Sequence, residues 1–157
     1  MKILIRKAKI EDIKDMQKFM YLLMKEENEQ FDSTNLVTWA KSKKCYEYFE
    51  RRITENNQLA IIAEFEGEKI GYLSAQINGA FEYRSVPKFG VIADMFVLKE
   101  HRNLTIGTKL IKDFKKWAKS KGAKRMRVQA FAMNEKALRF YRRHGFKDFE
   151  TILEGKI

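Results

Sequence analysis

The apolar positions of this chain switch repeatedly between the two-residue period of strands and the 3.6-residue period of helices. Lys2 to Lys7 alternates as a first strand. Ile13, Met16, Met20, Leu23 and Met24 then recur at helical spacing, with Glu11 and Asp12 in the first turn, where negative charge suits the helix dipole. Residues 41–56 carry Tyr46, Phe49 and Ile53 on a second helical face. The Met and aromatic stripes of these two helices read as core. Leu59 to Ala63 and Lys69 to Ile77 read as strands joined by a turn at Glu66-Gly67, and Val91 to Val97 as a further strand.

The second half repeats the alternation. Residues 106–120 place Ile106, Leu110, Ile111, Phe114, Trp117 and Ala118 on one helical face, and Gly122 ends that helix. Arg125 to Phe131 alternates as a strand, Glu135 to His144 reads as a helix, and Phe149 to Leu153 is expected to close the chain as a last strand. Gly145 suits the left-handed residue after a helix, with Phe146 packing back. The order is β-α-α-β-β-β-α-β-α-β. That predicts an α/β (α+β) fold in a single domain spanning 1–157, with no linker or repeat to divide it.

Composition narrows the function. With 45% hydrophobic and 13% aromatic residues, the chain is expected to be globular. Its amino terminus has too short an apolar run for a signal peptide, and no stretch is apolar enough to span a membrane. Cys45 is the only cysteine, which excludes an internal disulfide and a multi-cysteine metal site. A reducing cytoplasm is the natural expectation, and no metal is expected. The net charge of +11 is unevenly spread: residues 99–147 hold 16 Lys/Arg against 3 Asp/Glu. Such a basic half favours a polyanionic ligand. Lys109, Lys112, Lys115, Lys116 and Lys119 also fit a solvated helix face, because they fall opposite the apolar stripe. Nucleic acid is a third reading of the charge, but no zinc-finger, recognition-helix or RNP-type pattern accompanies it.

Two segments carry the chemistry. Val97 to Thr108 joins a strand to a helix through a short turn, and the unpaired N–H groups of a helix start suit phosphate. Downstream stands Asn134-Glu-Lys-Ala-Leu-Arg-Phe-Tyr141-Arg-Arg-His-Gly145-Phe146. As a pair they resemble the GCN5-related N-acetyltransferase (GNAT) family. The family's phosphate turn, Arg/Gln-x-x-Gly-x-Gly/Ala, stands here as Arg102-Asn103-Leu104-Thr105-Ile106-Gly107, with Thr105 in place of the first glycine. The later family segment matches at Asn134, Ala137, Tyr141, Gly145 and Phe146.

The resemblance implies a mixed, mostly antiparallel sheet with helices on both faces. The strands at 91–97 and 125–131 would run parallel and splay, with acetyl-CoA in the opening. Phe96, Val97, Arg102, Asn103, Leu104, Thr105, Ile106, Gly107, Thr108, Asn134 and Tyr141 would contact CoA. Arg102 serves equally well as a structural brace, and Asn134 as a helix N-cap. Tyr141 would be the general acid, and Asp94 the base or relay that deprotonates the amine. Tyr141 also suits a buried tyrosine bonded to backbone, and Asp94 a carboxylate that orients a neighbour or attracts the ammonium. Glu82 is a second carboxylate on the segment before the central strand. The resemblance implies acceptor contacts from residues 25–40, where Glu26, Glu27, Glu29 and Asp32 fit either a patch that attracts a cationic amine or a solvated acidic helix end, and from 78–90, with Phe81, Tyr83 and Phe89. The implied activity is acetyl transfer from acetyl-CoA to a primary amine by direct attack, and a homodimer is compatible with it. The rival readings are a CoA-binding regulatory module without turnover, motivated by Thr105, and a basic nucleic-acid-binding domain.

Overall fold

Strand β2 (Gln58–Phe65) is apolar at nearly every position because helices cover both of its faces. Leu59, Ile61 and Ala63 point to one core and Ala60 and Ile62 to the other. The computed structural model, which describes residues 2–103 and 105–157, builds three layers around this strand. Leu104, expected in the phosphate turn, lies outside the described residues.

The sheet runs in the order β1-β2-β3-β4-β5, with β1 Ile3–Lys7, β3 Glu68–Gly79, β4 Lys88–Val97 and β5 Arg125–Val128. All neighbours are antiparallel except β4 and β5, which pair in parallel. Helices α1 (Ile13–Gln30) and α2 (Lys43–Thr54) cover one face and α3 (Ile106–Ser120) the other, with α4 (Glu135–Arg143) beside α3. On the first face Ile13, Met16, Phe19 and Phe49 pack against Tyr72 and Phe96; on the second Leu110, Ile111 and Phe114 pack against Leu73, Ala75 and Ile92. Cys45 is buried in the first core, where burial pushes its thiol up to about 12 and leaves it inert.

Asp12 pins β1, β3 and α1 together. Only 1% exposed, it binds Arg6 at 2.7 Å, Lys69 at 2.7 Å and the Lys9 N–H at 2.8 Å. Helix α3 has the expected bounds, and Gly122 and Gly145 both take positive φ, at 84° and 89°. The ring of Phe146 folds back on Tyr141 with centroids 5.5 Å apart.

Two expected elements differ. Strand β5 stops at Val128 instead of Phe131, because β4 turns away and leaves Gln129 onward without a partner. The closing strand over 149–153 does not form: the segment makes no backbone hydrogen bond among the described residues. Strand β5 offers only a four-residue edge, and Phe149 instead lies under the guanidinium groups of Arg84 and Arg127, at 5.0 and 4.9 Å.

Candidate active site between β4 and β5

The opening in the sheet begins at a β-bulge. Ser74 pairs with Asp94 and Ala75 with Ile92, so Ala93 is an extra residue on β4. Ile92 is also the last residue paired with β5, opposite Val128. Beyond the bulge β4 stays on β3 up to Val97, while β5 ends. Residues 93–97 therefore present an open edge. The Leu98 N–H bonds Ile70 O on β3 at 2.8 Å, so the N–H and C=O of Val97 face the open side. The Val97 carbonyl accepts from Arg102 Nε there, at 2.9 Å.

A cleft of about 350 Å³ occupies the gap. Met20, Leu23, Met24 and Glu27 of α1 line one side, with Trp39 and Tyr48 beside them. Asn134, Ala137 and Tyr141 of the α4 segment line the other, and Ala93 to Met95 and Val128 to Phe131 form the margins. Phe131 stacks on Phe31, with centroids 5.4 Å apart, tying the end of α1 to the segment leaving β5. The methionine stripe of α1 is thus divided: Ile13 and Met16 are core, while Met20 and Met24 reach the cleft.

Asp94 sits in this cleft beside polar groups from α2 and β3. Its carboxylate accepts from Tyr48 Oη at 2.6 Å and from Ser74 Oγ. Burial raises its pKa; these hydrogen bonds and the charge of Arg52 pull the other way without cancelling the rise. Glu27, also in the cleft, is raised by burial, and its like charge opposes that of Asp94. Tyr141 reaches the same cleft from α4. Its hydroxyl makes no side-chain hydrogen bond among the described residues, and burial, with Asp94 and Glu27, keeps it protonated well above the ordinary phenol range. Asn134 does two things at once: its Oδ1 accepts from Ala137 N at 3.1 Å as the N-cap of α4, and it lines the cleft.

The turn before α3 is built from left-handed residues. Asn103 has φ 70° and Thr105 φ 66°, so the position that in the resembled pattern is glycine does take a glycine-like conformation. The Thr105 side chain makes no cap hydrogen bond, and only its carbonyl, accepting from Lys109 N at 3.0 Å, enters the helix. The N–H groups of Ile106, Gly107 and Thr108 have no acceptor among the described residues and form the first turn of α3. Gly107 has a packing role besides: a Cβ there would meet the Phe140 ring at 2.9 Å. That contact seats α4, and hence Tyr141, against α3, and Thr108 Oγ1 adds a 3.2 Å hydrogen bond to His144 Nε2.

Several expected contacts go elsewhere. Arg102 pairs with Glu26 at 2.7 Å and lies over the Phe96 ring, so it acts as a brace on the open edge. Phe96 itself is buried in the α1–α2 core, and only its neighbour Val97 offers backbone to the opening. Of the four acids between residues 26 and 32, Glu26 holds Arg102 and Asp32 holds Thr34, Glu29 is exposed, and only Glu27 lines the cleft. Segment 78–90 does not line it. Glu82 is exposed there, and Phe81 and Tyr83 stack on each other away from Asp94.

The residues around Asp94 missed by sequence reasoning are Tyr48, Arg52 and Ser74, of which the first two share α2. The signal for those two was Arg52 itself, a charge on the apolar face of α2 between Phe49 and Ile53. Among the described residues, no group of three or more His, Cys, Asp or Glu is gathered to hold a metal ion. No described helix is long and apolar enough to cross a membrane.

Comparison with known proteins accords with this geometry. Residues 18–146 match the model of the Acetyltransferase (GNAT) family. An N-alpha-acetyltransferase of Sulfurisphaera tokodaii is 27% identical over 112 residues, covering 68% of this chain and 67% of its own. An aminoglycoside antibiotic 6'-N-acetyltransferase from Acinetobacter baumannii shares the fold, with TM-score 0.78, 19% identity and coverage of 99% and 98%. So does AAC(6')-Iy in complex with the bisubstrate analogue CoA-S-monomethyl-acetylneamine, with TM-score 0.75, 16% identity and coverage of 100% and 99%. With a sheet opened between β4 and β5 and a family match over most of its length, the chain belongs to the GNAT family of N-acetyltransferases.

Proposed function

We propose that this protein transfers an acetyl group from acetyl-CoA to a primary amine by direct attack in a ternary complex, with Asp94 as base or relay and Tyr141 as acid. The observation that carries the reading is that Asp94 and Tyr141 line one cleft at the point where the sheet opens.

The residues present fit CoA. The N–H groups at the start of α3, which have no acceptor among the described residues, suit a diphosphate, and the basic charge of residues 99–147 favours a polyanion. The open edge of β4 offers the Val97 N–H to a carbonyl oxygen, and Asn134 lines the cleft. When bound, acetyl-CoA supplies the activated acetyl group.

An amine of pKa near 10.4 is mostly ammonium at neutral pH, and freeing its lone pair costs about 4–5 kcal/mol. An ordinary aspartate is a poor base for that task. Burial moves Asp94 toward the amine, since desolvation makes its carboxylate hold a proton more firmly. Tyr141 answers the opposite need. Phenol to thiolate transfer is uphill by about 2 kcal/mol from reference values, and burial makes the phenol weaker still. Tyr141 therefore serves as a hydrogen-bond donor to sulfur, its proton following only as the C–S bond breaks.

Glu27, Trp39 and the methionines of α1 make the acceptor side acidic and apolar, suiting an ammonium on an apolar body. Peptide amino termini and aminoglycoside amines are the two acceptor classes named by the similar proteins. Thermal shift with acetyl-CoA, followed by thiol release over a panel of these amines, tests the reading. Stabilisation and amine-dependent release are expected. Stabilisation without release from any amine would favour a CoA-binding module, and no stabilisation at saturating ligand would remove CoA altogether.

A further inference from the structure

Arg52 is a buried cation in an unusual position. It is only 8% exposed, and its guanidinium donates to Gln58 Oε1, to Gln76 Oε1 at 2.5 Å and to Tyr48 Oη at 3.1 Å. All three acceptors are neutral. Its Nε has no partner, and it enters no salt bridge among the described residues. A buried charge without a counterion is strongly disfavoured. Asp94 has the complementary deficit: its direct donors are the hydroxyls of Tyr48 and Ser74, with no cation in contact.

Tyr48 joins the two. Its oxygen accepts from Arg52 Nη2 and its proton goes to Asp94 Oδ1 at 2.6 Å, while the guanidinium also lies 4.5 Å from the ring centroid. We propose that Arg52 and Asp94 form a part-buried ion pair relayed through the Tyr48 phenol, making Arg52 and Tyr48 positioning residues for acetyl transfer. The catalytic part of this rests on the reading of Asp94 as base; the pairing itself does not.

The direction of the donors has a mechanistic consequence. Each hydrogen bond in the chain points from the cation to the carboxylate, and a guanidinium does not release a proton at any working pH. A proton taken up by Asp94 has no exit through Tyr48 and leaves by the cleft. The pair thus holds Asp94 ionised and aimed without draining it.

Other groups face Asp94 from each surrounding element. Glu27 on α1 repels its charge; Cys45 on α2, Tyr72 and Ser74 on β3 and Tyr141 on α4 are neutral at working pH; Arg52 is the cation among them. A simple structural brace from α2 to β2 and β3 would make Arg52 matter for stability but not for the titration of Asp94.

The test is the titration midpoint of the Asp94 carboxyl, read by carbon-13 NMR with Asp94→Asn for assignment, alongside the pH profile of kcat/KM. Arg52→Gln is expected to raise the midpoint by about one pH unit or more, and Tyr48→Phe to raise it likewise. Arg52→Lys, which keeps the charge, should stay near the wild-type value. Below the midpoint, a one-unit rise lowers the ionised fraction about tenfold, and the acidic limb of kcat/KM should fall to match. If Arg52→Gln does not fold, Arg52→Met, which keeps a long side chain beside Tyr48 without the charge, is read in its place. Midpoints unmoved in folded Arg52→Gln or Tyr48→Phe protein would overturn the pairing. Full turnover by Asp94→Asn would instead sink the base reading, leaving the titration to judge the pair alone.

Discussion

Asp94 and Tyr141 approach one cleft from opposite faces of the sheet. Asp94 is held on the α1–α2 side by Tyr48 and Ser74, whereas Tyr141 packs with the core beneath α3. In a continuous sheet they would be separated by backbone. They share a cavity because β4 bulges at Ala93 and loses β5 after Ile92. In the proposed mechanism this lets Asp94 and Tyr141 flank the thioester without either one crossing the sheet.

Thr105 carries strain without visible compensation. A left-handed conformation costs a non-glycine residue about 1–2 kcal/mol, and its hydroxyl makes no cap. Thr105→Gly should therefore stabilise the fold, by about 0.5–1 kcal/mol once the greater freedom of glycine in the unfolded chain is counted. Denaturant unfolding measures this, and acetyl-CoA affinity should hold or improve.

Asp12 sets an acid limit on stability. Arg6 first, then Lys69 and the Lys9 N–H, hold its carboxyl well below the usual range. A group whose folded pKa is depressed gives its full stabilisation above the unfolded value, about 3.9, and loses it as pH falls toward the folded one. Unfolding free energy should thus drop steeply below about pH 4. Asp12→Asn should flatten that slope and cost about 3 kcal/mol at neutral pH, since it leaves Arg6 and Lys69 with less countercharge.

Gly71 is required by the wall of the opening. A Cβ at this position would lie 2.5 Å from the Phe96 carbonyl oxygen and 3.0 Å from Val97 Cα. Gly71→Ala should cost about 1–3 kcal/mol and weaken acetyl-CoA binding, because it pushes out the edge that offers the Val97 N–H. Gly79→Ala, at the end of the same strand with nothing within 4 Å, is the control and should change stability by less than about 0.5 kcal/mol.

Periodicity was enough to locate α3, the left-handed glycines and the strand bearing Asp94, because each rests on local pattern. What escaped depends on distant partners. The bulge at Ala93 leaves no mark in an apolar run, yet it creates the cleft. Arg102 and Glu26 are 76 positions apart, so a bracing arginine was legible but its partner was not, and the acidic cluster fitted a binding patch and a solvated helix end alike. The closing strand failed for a related reason: Phe149 has strand-like neighbours, but a ring in contact with two guanidinium groups is held without any ladder. Arg52 was legible in principle, as a charge among apolar neighbours on α2.

The most direct measurement of the central claim is kcat and acetyl-CoA Kd for Tyr141→Phe beside the wild type, with an amine that supports turnover. The phenyl ring should keep its packing against Phe140 and Phe146, so Kd should change by less than about twofold while kcat falls by about 10²-fold or more. Unchanged kcat with intact CoA binding would contradict the account and remove Tyr141 from the chemistry.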